Sequence, residues 1–272
     1  MTNIAFIGGG NMASAILGGL IENGFAKNNI FVSDPSQEKL TELQQQFGVN
    51  TDTQNEAVIA QADVVILAVK PQVMQQVLSP LKSALLNKKP LIISVAAGIS
   101  LESLGQWTDP SLAIVRCMPN TPALVQKGAS GLLANAKVSD AQKQLTDEIL
   151  SAVGLSVWVK SETELDAVTA LSGSGPAYFF LFIEAMINAG QELGLAADTA
   201  KTLALQTALG AATMASKSEL EPAQLRKNVT SPNGTTEQAI LSFQNNQLEG
   251  LVKQAMEAAF NRSIELSEEL SK

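Results

Sequence analysis

Through the first 160 residues, short runs with few or no charges alternate with amphipathic helical stretches. Ile4–Ile7, Ile30–Ser33, Val64–Val69, Leu91–Val95 and Leu112–Met118 have the texture of parallel strands covered on both faces. Between the first two, Met12–Asn23 sets Met12, Ile16, Leu20 and Ile21 on one helical face, and Gln37–Phe47 repeats the arrangement with Leu40, Leu43 and Phe47. Strand–helix–strand alternation of this kind predicts an α/β fold, a doubly wound parallel sheet with helices on both sides. Leu132–Val159 adds a helix, Asp140–Ala152, and an edge strand, Ser156–Val159.

Beyond Lys160 the pattern changes to helical periodicity alone, over Ala177–Leu193, Asp198–Ser216, Thr236–Phe243 and Gly250–Leu270. The chain therefore divides into residues 1–160 and an all-α domain, 161–272. The first of these helices carries Tyr178, Phe179, Phe180, Leu181, Phe182, Ile183, Met186 and Ile187 around nearly its whole circumference. A helix apolar all round is a buried helix, and a domain this small cannot enclose it unaided. Part of its surface is expected to be covered by a second subunit; the alternative cover is the first domain.

Composition narrows the function classes. Apolar residues make up 46% and charged residues 16% of 272, which is globular and not disordered. Acidic groups outnumber basic ones 26 to 18 and only Arg116, Arg226 and Arg262 are arginines, so a nucleic-acid partner is not expected. The longest apolar run, Ala177–Ile183, ends at Glu184, well short of the ~20 residues of a membrane span. Met1-Thr2-Asn3 lacks the cationic start of a signal peptide, and the single Cys117 suits a reducing compartment; the expected location is cytoplasmic. There is no histidine, hence no Ser-His-Asp triad, no imidazole base and no His-bound metal, and no metal site is expected.

Ile7-Gly8-Gly9-Gly10-Asn11-Met12-Ala13 reads G-x-G-x-x-A between the first strand and the first helix, the signature of a Rossmann-type dinucleotide site. Gly8 permits the turn, Gly10 lets backbone approach a pyrophosphate, and Ala13 allows close packing; the diphosphate would lie on the helix N-terminus. Asp34, ending the second strand, is placed to accept the ribose hydroxyls of NAD and repel a 2′-phosphate, whereas Ser33, Ser36 and Lys39 are able to hold one. Asp34-Pro35 is equally suited to turning the chain and capping the next helix, so NAD(H) and NADP(H) both stay open. Lys70 and the small residues Ala96, Ala97 and Gly98 end later strands, where ligands of such sheets bind. Asn120, in Met118-Pro119-Asn120-Thr121-Pro122, offers a donor there, and Cys117 reads as a buried small residue and not a nucleophile. Two polar turns, Ser172–Tyr178 with Ser174 and Thr230–Thr236, precede helices and present hydroxyls and N–H groups suited to a small carboxylate, or simply cap those helices.

Together these residues resemble the delta-1-pyrroline-5-carboxylate reductase family over essentially the whole chain. F-I-G-x-G-N-M-A appears as Phe6–Ala13, A-V-K-P as Ala68–Pro71, S-x-A-A-G as Ser94–Gly98, R-x-M-P-N-T-P as Arg116–Pro122 and S-G-S-G-P-A-Y as Ser172–Tyr178. The family's N-V-T-S-P-G-G-T-T appears as Asn228–Thr236 with Asn233 for the first of its two glycines, and Asp34 stands where the family often has a residue compatible with a 2′-phosphate. The resemblance implies NAD(P)H contacts at Gly8, Gly9, Gly10, Asn11, Met12, Asp34, Asn55, Val69, Lys70, Pro71 and Ala97. It implies a cyclic imino acid near Glu219, Ser231, Gly234, Thr235 and Thr236, and a C-terminal domain that forms dimers, which often assemble into decamers.

The implied reaction is hydride transfer to C5 of L-1-pyrroline-5-carboxylate, giving L-proline. An iminium ion already carries its proton on nitrogen and becomes a neutral amine, so no imidazole acid is required. Thr236 is the expected catalytic hydroxyl, hydrogen-bonded to the ring nitrogen. The rival readings are a two-domain hydroxy-acid dehydrogenase, which the Lys-free stretch Ser161–Ala200 disfavours, an imine reductase of other specificity, and a non-enzymatic dinucleotide sensor.

Overall fold

The uncharged runs become the central strands of one eight-stranded sheet, ordered β3-β2-β1-β4-β5-β6-β7-β8, in a computed structural model that describes residues Thr2–Ser271. The strands are β1 Ile4–Ile7, β2 Ile30–Ser33, β3 Asn50–Asp52, β4 Val64–Leu67, β5 Leu91–Ser94, β6 Ile114–Met118, β7 Gly128–Ala134 and β8 Gly154–Trp158. The helices around it are α1 Asn11–Glu22, α2 Gln37–Phe47, α3 Asn55–Gln61, α4 Met74–Leu78, α5 Lys82–Lys88, α6 Leu101–Trp107, α7 Asp140–Ser151 and α8 Glu162–Val168. Then follow α9 Gly175–Glu192, α10 Ala197–Lys217, α11 Pro222–Asn228, α12 Thr235–Asn245 and α13 Leu248–Leu270.

Side chains alternate across a strand, and here the two sets found separate cores. Ile4 and Phe6 join Ile16, Leu17 and Leu20 of α1, Leu40 and Leu43 of α2 and Ile149 of α7. Ala5 and Ile7 join Val58 and Ile59 of α3, Met74 and Leu78 of α4 and Leu104 of α6 on the other face. Each fully buried Leu, Ile or Phe contributes roughly 1.5–3 kcal/mol, so the sheet is held by burial on both sides, as a doubly wound sheet requires.

The expectation of an all-parallel sheet needs one correction: β7 runs antiparallel to β6. Only Pro119–Lys127 lie between them, fewer than the dozen or so residues a parallel crossover needs. β8 then pairs with β7 in parallel.

The chain forms two compact units: one is the chain up to Ser174 and again from Ala259, the other Gly175–Ala258. In the first unit the end of α13 closes over the sheet. Ser263 Oγ donates to Asp166 Oδ1 at 2.6 Å, Ser103 Oγ to Ser271 Oγ at 2.9 Å, and Leu266 and Leu270 lie against Gly98, whose φ is +73°.

The second correction concerns Ser172–Ser174, expected to be a polar turn ahead of a helix. α8 instead runs on through a π-helical turn, Thr169–Gly173, closed by Ser174 N–H to the Thr169 carbonyl at 2.8 Å, and α9 follows directly. The N–H of Ser174 is therefore spent inside the chain, and no free helix N-terminus for an anion exists there. By length and composition the whole stretch Glu162–Glu192 is apolar and long enough to cross a bilayer, which the short run Ala177–Ile183 did not suggest. Its beginning is nonetheless part of the first unit's own core, where Leu165 and Ala170 are buried.

Within a single chain α9 is not enclosed. Phe179 is 69% and Phe180 64% exposed, with Leu181 and Phe182 also open. In the second unit Phe182 meets Phe243 at 6.0 Å between ring centroids, both rings remaining partly open.

Candidate active site

The glycine turn is fixed by steric exclusion. Gly8 has φ +98°, donates to the Ser33 carbonyl at 2.7 Å, and a Cβ there would lie 2.7 Å from the Ala68 carbonyl oxygen. Gly10 precedes α1 without a side-chain cap, and a Cβ on it would meet nothing within 4 Å. Open space at Gly10 above uncapped N–H groups at the start of α1 is what a diphosphate requires. Ala13 is fully buried against the sheet.

A cleft of about 620 Å³ opens beside this turn, at the carboxyl ends of β1, β4 and β5. It brings together Gly9, Gly10, Asn11, Met12, Val69, Lys70, Pro71 and Ala97 of the residues expected to hold a cofactor. Lys39, Glu42, Leu43 and Gln46 form a further wall. Glu42 and Gln46 were not anticipated, although their spacing from Lys39 along α2 is the i, i+3, i+7 signal of one helix face.

Four of the expected cofactor residues lie elsewhere. Gly8 sits beneath the turn. Asp34 is buried: its Oδ2 accepts from Gly9 N–H at 3.0 Å and its Oδ1 from Ser36 N–H at 2.9 Å, while Lys39 Nζ stands 3.6 Å away. Asn55, at the start of α3, accepts from the buried Ser33 hydroxyl at 2.7 Å. Asn120 is occupied at both ends of its amide. Its Nδ2 donates to the Ser172 carbonyl at 2.9 Å, and its Oδ1 accepts from Ala129 N–H at 2.9 Å. Pro176, four residues after Ser172, has no N–H for that carbonyl, so Asn120 supplies the donor the proline lacks. Asn120 is also buried.

Beside it on β6, Arg116 is buried and paired with Glu162, whose other oxygen accepts from Leu101 N–H at 2.8 Å. This strap joins residues far apart in the chain, and no spacing in the sequence signals it. Cys117 is buried, and burial pushes its thiol up to about 12, against an ordinary 9.0. It is an inert core residue under neutral conditions.

In the second unit, Ser231 and Gly234 lie on the turn between α11 and α12 and the exposed Thr235 and Thr236 open α12, while Glu219 sits on the separate α10–α11 turn. Asn233, the departure from the family pattern, has φ +60°. Asn and Gly are the residues that tolerate this conformation, so the exchange keeps the turn's shape. Gly234 N–H bonds the Ser231 carbonyl at 3.0 Å and Asn233 N–H bonds Glu237 Oε2 at 2.8 Å. Those two N–H groups, expected among the donors for a substrate carboxylate, are thus used by the turn itself. The first helical bond of α12 is Gln238 N–H to the Gly234 carbonyl at 3.3 Å. Thr235, Thr236 and Glu237 therefore have no carbonyl ahead of them to bond, and their N–H groups are available to an anion.

A glycine-turn cleft on a doubly wound sheet, followed by a helical unit with uncovered apolar faces, defines the class of two-unit nucleotide-dependent oxidoreductases. A family model described as pyrroline-5-carboxylate reductase dimerisation matches residues 162–266, and one described as NADP oxidoreductase, coenzyme F420-dependent, matches residues 3–98. The pyrroline-5-carboxylate reductase of Pseudomonas aeruginosa is 54% identical over 267 residues, 98% of this chain and 97% of that one. Among solved structures, a pyrroline-5-carboxylate reductase of Coxiella burnetii superposes with a TM-score of 0.95 at 48% identity, covering 98% of each chain. The Plasmodium falciparum pyrroline carboxylate reductase, solved with NADP bound, gives 0.86 at 33% identity over 98% of each. The chain belongs to the pyrroline-5-carboxylate reductase family.

Proposed function

We propose that the chain reduces L-1-pyrroline-5-carboxylate to L-proline with NADP(H), or NAD(H), as hydride donor. The observation that carries this reading is the open cradle at Gly10 and the start of α1, in a chain of this family. The nicotinamide cofactor, when bound, supplies the hydride that reduces C5. What the protein contributes is position. Gly9–Met12 take the diphosphate, Val69–Pro71 border the cleft, and Ala97 borders it without bulk. Residues 1–160 on this reading hold the dinucleotide, and residues 161–272 hold the imino acid and the partner subunit.

Thr235 and Thr236 N–H groups, at the positive end of α12, receive the substrate carboxylate, with Ser231 and Gly234 shaping the turn. The Thr236 hydroxyl bonds the ring nitrogen and orients C5. Ser174 and Glu219 complete the substrate surroundings, and Asn55 and Asp34 support the cofactor site through Ser33 and Gly9. The uncovered faces of α9 and α10 support a homodimer, and dimers that assemble into a decamer are tested by light scattering for ten times the 28.6 kDa chain mass. A cytoplasmic location suits one buried, reduced thiol.

Loss of reduced-nicotinamide absorbance on adding pyrroline-5-carboxylate tests the activity; loss only with keto acids would overturn it. Thr236→Ala should lower kcat roughly ten- to a thousandfold, the range for one positioned hydrogen bond. Unchanged turnover would remove Thr236 from the mechanism.

A further inference from the structure

We propose that Lys39 decides how this chain distinguishes NADPH from NADH, and that Asp34 is a positioning residue that holds the glycine turn and Lys39 in place. The inference rests on the NAD(P)H reading above and assigns the group that would meet the 2′-phosphate. An acidic residue at the end of β2 discriminates by offering a free carboxylate to the ribose diol. Asp34 is not placed to do so: it is 6% exposed, each of its oxygens already accepts a backbone N–H, from Gly9 and Ser36, and it does not border the cleft. Of the two hydroxyls nearby, Ser33 is buried and donates to Asn55, whereas Ser36 accepts from Lys39 N–H at 3.4 Å as the cap of α2 and is a neutral donor without charge for a phosphate.

Lys39 is the cation left on this wall. Its side chain is 53% exposed and lines the cleft, and its ammonium lies 3.6 Å from an Asp34 oxygen that already accepts a backbone hydrogen bond. An ammonium with three rotatable donors gains charge-assisted bonds from a phosphate dianion and little from a diol. Glu42 borders the same wall one turn further along α2. With Lys39 neutralised, that carboxylate faces the 2′-phosphate unopposed, so the loss should fall on NADPH alone.

The test is equilibrium binding of NADPH and NADH to the full chain in its native assembly, followed by nicotinamide fluorescence, with adenosine 2′,5′-bisphosphate and AMP as probes without the nicotinamide. Lys39→Gln should weaken NADPH and the bisphosphate about ten- to a hundredfold and shift NADH and AMP less than about threefold, with Lys39→Arg restoring most of the loss. Asp34→Asn should weaken both dinucleotides alike and lower the Tm. Equal shifts for both dinucleotides in Lys39→Gln, or selective tightening of NADPH in Asp34→Asn, would overturn the assignment. A wild-type protein that binds neither dinucleotide would overturn the reductase reading itself.

Discussion

The two units of this chain bury their side chains in opposite ways. In the first, Phe6, Ile16, Leu17, Ile66 and Met74 are fully enclosed between sheet and helices. In the second, Phe179, Phe180 and Leu181 stand open on α9, Leu203, Leu205 and Leu209 on α10, and among its described residues the buried hydrophobic ones are Ala200 and Ala204. Both units are apolar; only one is complete within a single chain. The first owes its form to its own sequence, whereas the second presents the large contiguous apolar surface that marks an association face.

The largest effect should come from attacking that incompleteness. Phe180→Glu places a charge where the partner subunit is expected, and should convert the assembly to monomers with activity reduced at least about a hundredfold. Sedimentation velocity reads this directly, and an assembled, active variant would show that α9 is covered by something else. Next comes a change confined to the self-sufficient unit: Gly8→Ala must accept φ +98° and a Cβ 2.7 Å from the Ala68 oxygen. It should cost about 1–3 kcal/mol and weaken dinucleotide binding more than tenfold while leaving the oligomer intact. Asn120→Ala leaves the Ser172 carbonyl and Ala129 N–H unpaired, and urea unfolding should register a loss of about 1–3 kcal/mol.

The smallest effect is a pH dependence. The Cys117 thiol is raised on folding to about 12 from 9.0, so the unfolded chain loses this proton first as pH rises. Its contribution to stability is complete below pH 9, leaves neutral pH untouched, and should then fall as the pH rises toward 12. Denaturation across that window, compared with Cys117→Ala, isolates the effect; identical slopes in the two proteins would refute it.

How far the sequence could be read follows the same division. Ile4–Ile7 and Gln37–Phe47 were legible to the residue, because an uncharged run and a helical face each need only local pattern. β3, Asn50-Thr51-Asp52, was not, since three polar residues become a strand only by pairing with Phe31–Ser33 at the sheet edge. β7 was not read as a strand. Its Gly-Ala-Ser-Gly start lacks bulk for a packing reason: a Cβ at Gly131 would lie 2.6 Å from Val168. Gly-Ser-Gly-Pro looked like a break because the donor that repairs it, Asn120, lies in another loop. At the site, the glycine turn was legible and the occupation of both Asp34 oxygens was not, because backbone N–H groups leave no trace in residue identity.

α13 starts in the second unit and ends on the first, which has a consequence for biogenesis. A ribosome makes residues 175–258 before those that cover Gly98 and bond Asp166 and Ser103. The sheet-bearing half therefore cannot seal that flank until the sticky helices of the second unit have already emerged.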